Sequence, residues 1–213
     1  GKMYNKKFVT ANRIIGLKIK RVIEIPFTLL GLILISPLFP LIGALIKLDS
    51  EGSVFYYRRV LGLHGNLFNA YKFRTMVNNA DEFLHEHPEL WDEYQTNIKL
   101  KNDPRLTRVG RWLRRLSLDE LPQLINVLRG EMSLIGPRMI SPEELIRYGE
   151  FANKRLTVLP GITGLWQVSG RQDIDYEKRI ELDMEYIERW SLWLDFMILL
   201  KTIPVLFTKK GAY

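Results

Sequence analysis

The chain of 213 residues carries 31 Lys and Arg against 24 Asp and Glu, for a formal net charge of +7, and 46% of it is hydrophobic. That is the size of one domain with appendages, too apolar for extensive disorder, and its basic surplus suits nucleic acid, phosphate esters or an anionic membrane. Zero cysteines exclude a disulfide scaffold and thiolate metal sites, and three histidines (His64, His85, His87) leave little for a histidine cage or a Ser-His triad.

Residues 1–21 form a basic arm with Lys2, Lys6, Lys7, Arg13, Lys18, Lys20 and Arg21 and no acid. Ile23 to Ile46 follows with Glu24 as its only charge. As a straight helix this run reaches roughly 36 Å, enough to cross a ~30 Å hydrocarbon core. Ser36-Pro37 interrupts it and predicts a bend, because proline removes a helix hydrogen bond and clashes with the preceding turn. A kinked spanning helix, a re-entrant hairpin and a buried core helix all fit. The basic arm favours the cytoplasmic side, so a spanning helix would export everything downstream.

Residues 54–76 read as two short strands around a turn at His64-Gly65-Asn66, ending in Lys72-Phe73-Arg74-Thr75-Met76. Asn78 to Leu100 predicts polar helix broken near Pro88, and its His85-Glu86-His87 lacks the spacing to share a helical face. Lys101 to Arg115 is the most basic stretch. Val109, Trp112, Leu113 and Leu116 share one helical stripe there, with Arg108, Arg111 and Arg115 on another.

Ser117-x-x-Glu120 fits a capping box, but that start sets Pro122 against the carbonyl of Leu118; a helix starting at Asp119 keeps Pro122 in the tolerant first turn. Either way two adjacent carboxylates stand beside an arginine cluster, and Asp119, Gln123 and Asn126 form one polar stripe. Gly136-Pro137-Arg138 follows a short apolar run, and Pro160-Gly161-Ile162-Thr163-Gly164 reads as a turn with glycines suited to positive φ. In Tyr186 to Phe207, Asp195, Lys201 and Pro204 interrupt an apolar series containing Trp190 and Trp193; it suits an interfacial helix or one packed on the core.

Six motifs in order are similar to those of the bacterial sugar transferase family, the monotopic phosphoglycosyl transferases. They are the Ser36-Pro37 membrane segment, residues 71–76, Asp103 to Gly110, Ser117 to Leu124, Ser133 to Arg138, and Pro160 to Arg171. The similarity runs to the C-terminus and is nearest to undecaprenyl-phosphate galactose or glucose phosphotransferases, whose larger members carry further N-terminal segments. The Gly1-Lys2-Met3 start therefore suggests an excised portion. Met139 and Leu159 depart from the usual proline and lysine.

The resemblance implies an α-dominated α+β monotopic membrane protein. Its parts would be a basic arm (1–21), a re-entrant helix–break–helix (22–48) and a cytoplasmic catalytic domain (49–213) with a small β element and interfacial helices. It implies transfer of a sugar 1-phosphate from a UDP-sugar to undecaprenyl phosphate at the cytoplasmic face of the bacterial inner membrane, with UMP released. Asp119 would be the nucleophile, Glu120, with Asp119, the Mg²⁺ ligand, and Lys72, Arg74, Arg108, Arg111 and Arg138 phosphate contacts. Asp183 is a weaker third acid. An anionic membrane is an expected partner and nucleic acid is not; a homo-oligomer is compatible. The rivals are direct attack by the lipid phosphate, with Asp119 only binding metal, and a non-catalytic basic membrane scaffold.

Overall fold

The computed structural model describes residues 2–97, 100, 102–170 and 174–207; Lys101, Arg171 and Lys209–Tyr213 lie outside the described residues. Helix α1 (Lys2–Ile35) joins the basic arm and the apolar run in one element. Ser36 ends it, its hydroxyl donating to Ile33 O at 2.8 Å, and Pro37 stands at the N-cap of α2 (Leu38–Asp49). The expected bend is there, with Ile14–Ile35 and Leu38–Asp49 meeting at 56°. Among the described residues no single helix is long and apolar enough to cross a membrane, but the bent pair together meets that requirement.

The burial of α1 is inverted. Lys20, Glu24 and Thr28, spaced by one helical turn, are buried, whereas Val22, Phe27 and Leu34 are exposed. Lys20 donates to Ile135 O at 2.7 Å and pairs with Asp195 at 2.9 Å. Glu24 Oε1 accepts from Ser133 Oγ (2.5 Å) and Leu134 N (2.9 Å).

Strands β1 (Phe55–Leu61) and β2 (Leu67–Phe73) form the expected antiparallel hairpin, in register from Phe55 opposite Phe73 to Leu61 opposite Leu67. His64 (φ 57°) and Gly65 (φ 80°) make its turn in the left-handed region. Helices α3 (Ala80–His85) and α4 (Pro88–Asn97) divide at Pro88 as the sequence predicts. Helix α5 (Arg108–Arg115) is capped by Thr107, whose Oγ1 accepts from Gly110 N. Of its apolar stripe, Leu113 is buried and Val109 packs beside it, but Trp112 and Leu116 are exposed.

A 3₁₀ turn over Leu118–Glu120 precedes α6 (Gln123–Arg129), with Pro122 at the N-cap. The Ser117 capping box does not form: Ser117 is left-handed (φ 56°), and Glu120 is engaged elsewhere. Two three-residue strands, β3 (Ser133–Ile135) and β4 (Gly161–Thr163), pair in parallel. Between them lie α7 (Pro142–Leu145), a 3₁₀ segment (Ile146–Phe151) and α8 (Ala152–Arg155).

Gly161 and Gly164 do not need positive φ. They allow backbone contact, because a Cβ on Gly161 would stand 2.1 Å from Gly136 N and one on Gly164 2.2 Å from Gly136 O. Helices α9 (Leu165–Ser169), α10 (Tyr176–Arg189) and α11 (Leu192–Phe207) complete the chain. Helix α11 turns Asp195 and Ile198 inward and leaves Trp193, Phe196 and Ile203 exposed, so one face packs and the other is free.

Candidate active site

Three elements converge on Glu120. Lys72 comes from β2, Arg138 from the segment after β3, and the acid from the 3₁₀ turn before α6. Lys72 Nζ lies 2.7 Å from Glu120 Oε1; Arg138 reaches Oε1 at 2.5 Å through Nη2 and Oε2 at 3.2 Å through Nη1. Asn126 fixes β2 against α6: its Oδ1 accepts from Tyr71 N at 3.0 Å and its Nδ2 donates to Asn69 O at 2.8 Å. Gln123 and Asn126 of the polar stripe are both buried, Asn126 against the hairpin.

The two carboxylates have opposite environments. Asp119 is only 7% exposed, yet its oxygens have no hydrogen-bond partner among the described residues. Burial first, then the adjacent Glu120 charge, pushes its carboxyl up, against the pull of Lys72, Arg114 and Arg138. Burial would raise Glu120 too, but Arg138 and Lys72 outweigh it and hold that carboxyl well below the usual range. One acid is clamped as a fixed charge while its neighbour is left free. Such a split is how two carboxylates acquire different roles.

The other expected residues are not brought to this pair. Arg74 is buried at the end of α2, donating to Glu51 O and, at 2.8 Å, to Ser50 O. Arg108 and Arg111 are exposed on α5 and make no contact with the acids. Asp183 lies on α10, where Tyr148 donates to it at 2.7 Å. Sequence reasoning missed Arg114, which donates to Thr75 Oγ1 at 3.0 Å and whose charge acts on Asp119. Its signal was the spacing from Gly110, one helical turn earlier, where a Cβ would stand 1.9 Å from Thr75 O.

For a divalent ion, no group of three or more potential ligands exists among the described residues. Asp119, free of partners, and Glu120 Oε2, which takes only the 3.2 Å contact from Arg138, have lone pairs to offer. That donor set fits Mg²⁺, which binds through one or two carboxylates and completes its shell with water and substrate phosphates.

A buried free carboxylate beside a clamped one, rimmed by cations, defines the class of site that can hold an anionic group. Comparison with known proteins gives that class its family. The profile of the bacterial sugar transferases matches residues 15–209. The exopolysaccharide production protein ExoY of Rhizobium meliloti (strain 1021) is 47% identical over 207 residues, covering 95% of this chain and 92% of that protein. The undecaprenyl-phosphate galactose phosphotransferase of Salmonella typhimurium is 47% identical over 199 residues, 92% of this chain but 42% of its own length. The undecaprenyl-phosphate glucose phosphotransferase of Komagataeibacter xylinus is 42% identical over 205 residues, or 91% and 37%. The chain belongs to the bacterial sugar transferase family, and its enzyme class is sugar phosphotransfer.

Proposed function

We propose that this chain transfers a hexose 1-phosphate from UDP-galactose or UDP-glucose to undecaprenyl phosphate and releases UMP, as an initiating step of surface polysaccharide synthesis. The names of its relatives supply the substrate class: one acts on undecaprenyl-phosphate and galactose, another is a UDP-galactose-lipid carrier transferase from Erwinia amylovora. The observation that carries the mechanism is the unpartnered Asp119 carboxylate beside Glu120, which two cations grip.

An Asp119 oxygen attacks the phosphorus bearing the sugar. The new O–P bond forms as the bridging P–O bond breaks, and its electron pair leaves with UMP. A phosphate oxygen of the lipid then attacks the aspartyl-phosphosugar, the Asp119–phosphorus bond breaks and the free carboxylate returns. Lys72 and Arg138, steadied by Glu120, face the phosphoryl oxygens as charge spreads over them. Mg²⁺, held by Asp119 and Glu120, would neutralise further phosphate charge when bound.

The lipid phosphate reaches the site from a membrane. Support for this is the outward apolar faces of α1, α2 and α11, with the polar residues of α1 turned inward. A cytoplasmic nucleotide sugar and a basic N-terminal arm together require the bent pair α1–α2 to enter and leave by the cytoplasmic face.

Incubation of the protein with each UDP-sugar alone, followed by intact-protein mass, tests the mechanism. A sugar-phosphate adduct should form with UMP release, and Asp119→Asn should abolish both. UMP release undiminished in that variant excludes Asp119 as nucleophile. Release that needs the lipid and leaves no adduct selects direct attack.

A further inference from the structure

One cation near Arg138 has no assigned work. Arg179, on α10, lies with its guanidinium carbon 4.8 Å from the ring centroid of Trp166, which is buried on α9. Its Nε is buried without a hydrogen-bond partner, and it makes no ion pair among the described residues. The two acids near it are engaged: Glu144 Oε2 takes Arg58 at 2.8 Å and Ser141 N at 2.8 Å, and Asp175 Oδ1 takes Lys178 N at 2.7 Å.

Arg179 is also next to the catalytic loop. Gly164, which precedes α9, packs its backbone on Gly136, and Gly161 N donates to Pro137 O at 2.8 Å. The helix that carries Trp166 thus starts on the segment that carries Arg138, and the positive charge of Arg138 acts on Arg179. Only Arg138 of these two guanidiniums is neutralised by Glu120. A half-buried cation with a fixed plane, an unused N–H and a like-charged neighbour is costly until an anion joins it.

We propose that Arg179, oriented by Trp166, binds the nucleotide-side phosphate of the diphosphate and receives it as the leaving monophosphate. This rests on the reaction proposed above, in which the bridging oxygen leaves with the nucleotide and gains a negative charge. The nucleotide then extends from Asp119 past Arg138 towards α9 and α10, opposite the sugar.

Calorimetric binding of UMP, with uridine as the phosphate-free control, tests this on the full chain in detergent, using Arg179→Ala and Arg179→Lys. Arg179→Ala should weaken UMP about tenfold or more, the loss of one charge-assisted contact, and leave uridine unchanged. Arg179→Lys, which keeps the charge but not the stacked plane, should fall between and serves if the alanine variant does not fold. UMP affinity unchanged in both variants overturns the proposal, as does an equal loss for uridine. Adduct mass, read separately, keeps the two ideas apart. An adduct with Arg179-independent UMP binding sinks this proposal alone; Arg179-dependent binding without an adduct sinks the covalent mechanism alone.

Discussion

Asp183 is ionisable, fully buried and positioned behind the active site, so its replacement separates stability from function. Its Oδ2 accepts from Tyr148 while its Oδ1 has no partner, and its nearest cation is the buried Arg155. Arg155 Nη2 in turn holds Arg138 O at 2.6 Å and Pro137 O at 3.3 Å. Burial pushes the Asp183 carboxyl from 3.8 up to about 6, against the pull of Arg155 and the Tyr148 hydrogen bond. Below 3.8 both folded and unfolded chains hold the proton; between 3.8 and about 6 only the folded chain does. Stability from this group therefore falls as pH rises through that window and levels off above it. The whole window corresponds to ~3 kcal/mol, and the part from pH 4.5 upward to roughly 2 kcal/mol. Asp183→Asn is neutral throughout, so it should gain roughly 2 kcal/mol relative to the parent between pH 4.5 and pH 7.5. Urea unfolding in detergent, followed by tryptophan fluorescence, reads this difference and cancels any constant cost of the amide. Activity should fall even so, because Arg155 loses its counter-charge and its hold on the Arg138 segment loosens. A stability gap independent of pH, or one that moves the opposite way, refutes the reasoning.

Two further substitutions probe the frame of the site. Asn126→Ala leaves Tyr71 N–H and Asn69 C=O without their partner, at a cost of about 2–4 kcal/mol; the melting temperature should drop by roughly 5–10 °C, and a drop under about 1 °C counts against that role. Gly161→Ala drives a Cβ to 2.1 Å from Gly136 N and should abolish activity or folding, whereas Gly31→Ala, with nothing within 4 Å, should leave both intact. Equal behaviour of the two glycine variants in activity and melting assays would refute the close-approach reading.

What could be read in the sequence was carried by local chemistry. Proline after serine marks the helix break, β-prone runs around His64-Gly65-Asn66 mark the hairpin, and adjacent acids after an arginine cluster mark the candidate site. What could not be read depended on partners distant in the chain. Lys20, Glu24 and Thr28 look like blemishes in an apolar helix until β3 and α11 are set beside them. Arg114 differs from Arg115 by one residue, about 100° round the helix, and that rotation turns Arg114 inward to Thr75 and leaves Arg115 exposed. Strands β3 and β4 are three residues each, too short for alternation to register. Ser117-x-x-Glu120 matched a capping box because no local pattern shows that Glu120 is already bound across the fold by Lys72 and Arg138.

The inverted helix and the acid pair belong to one mechanical path. Lys20 and Glu24 hold the carbonyl of Ile135, the amide of Leu134 and the hydroxyl of Ser133, while Arg21 donates to Leu128 O at 3.2 Å and to Val127 O at the end of α6. Three residues beyond Ile135 stands Arg138, on Glu120; α6 begins three residues beyond Glu120. The helix with the outward apolar face thus grips both the strand that delivers the clamp and the helix that follows the acids. Charged groups turned from an apolar surface are stable only where protein satisfies them, and here β3, α6 and α11 do so. The rotation of α1 about its axis is consequently set by the frame of the acid pair, and any surface that takes its apolar side meets that pair at a fixed height and orientation. The lipid-borne acceptor proposed above would use that constraint, whereas a water-soluble one would have no need of it.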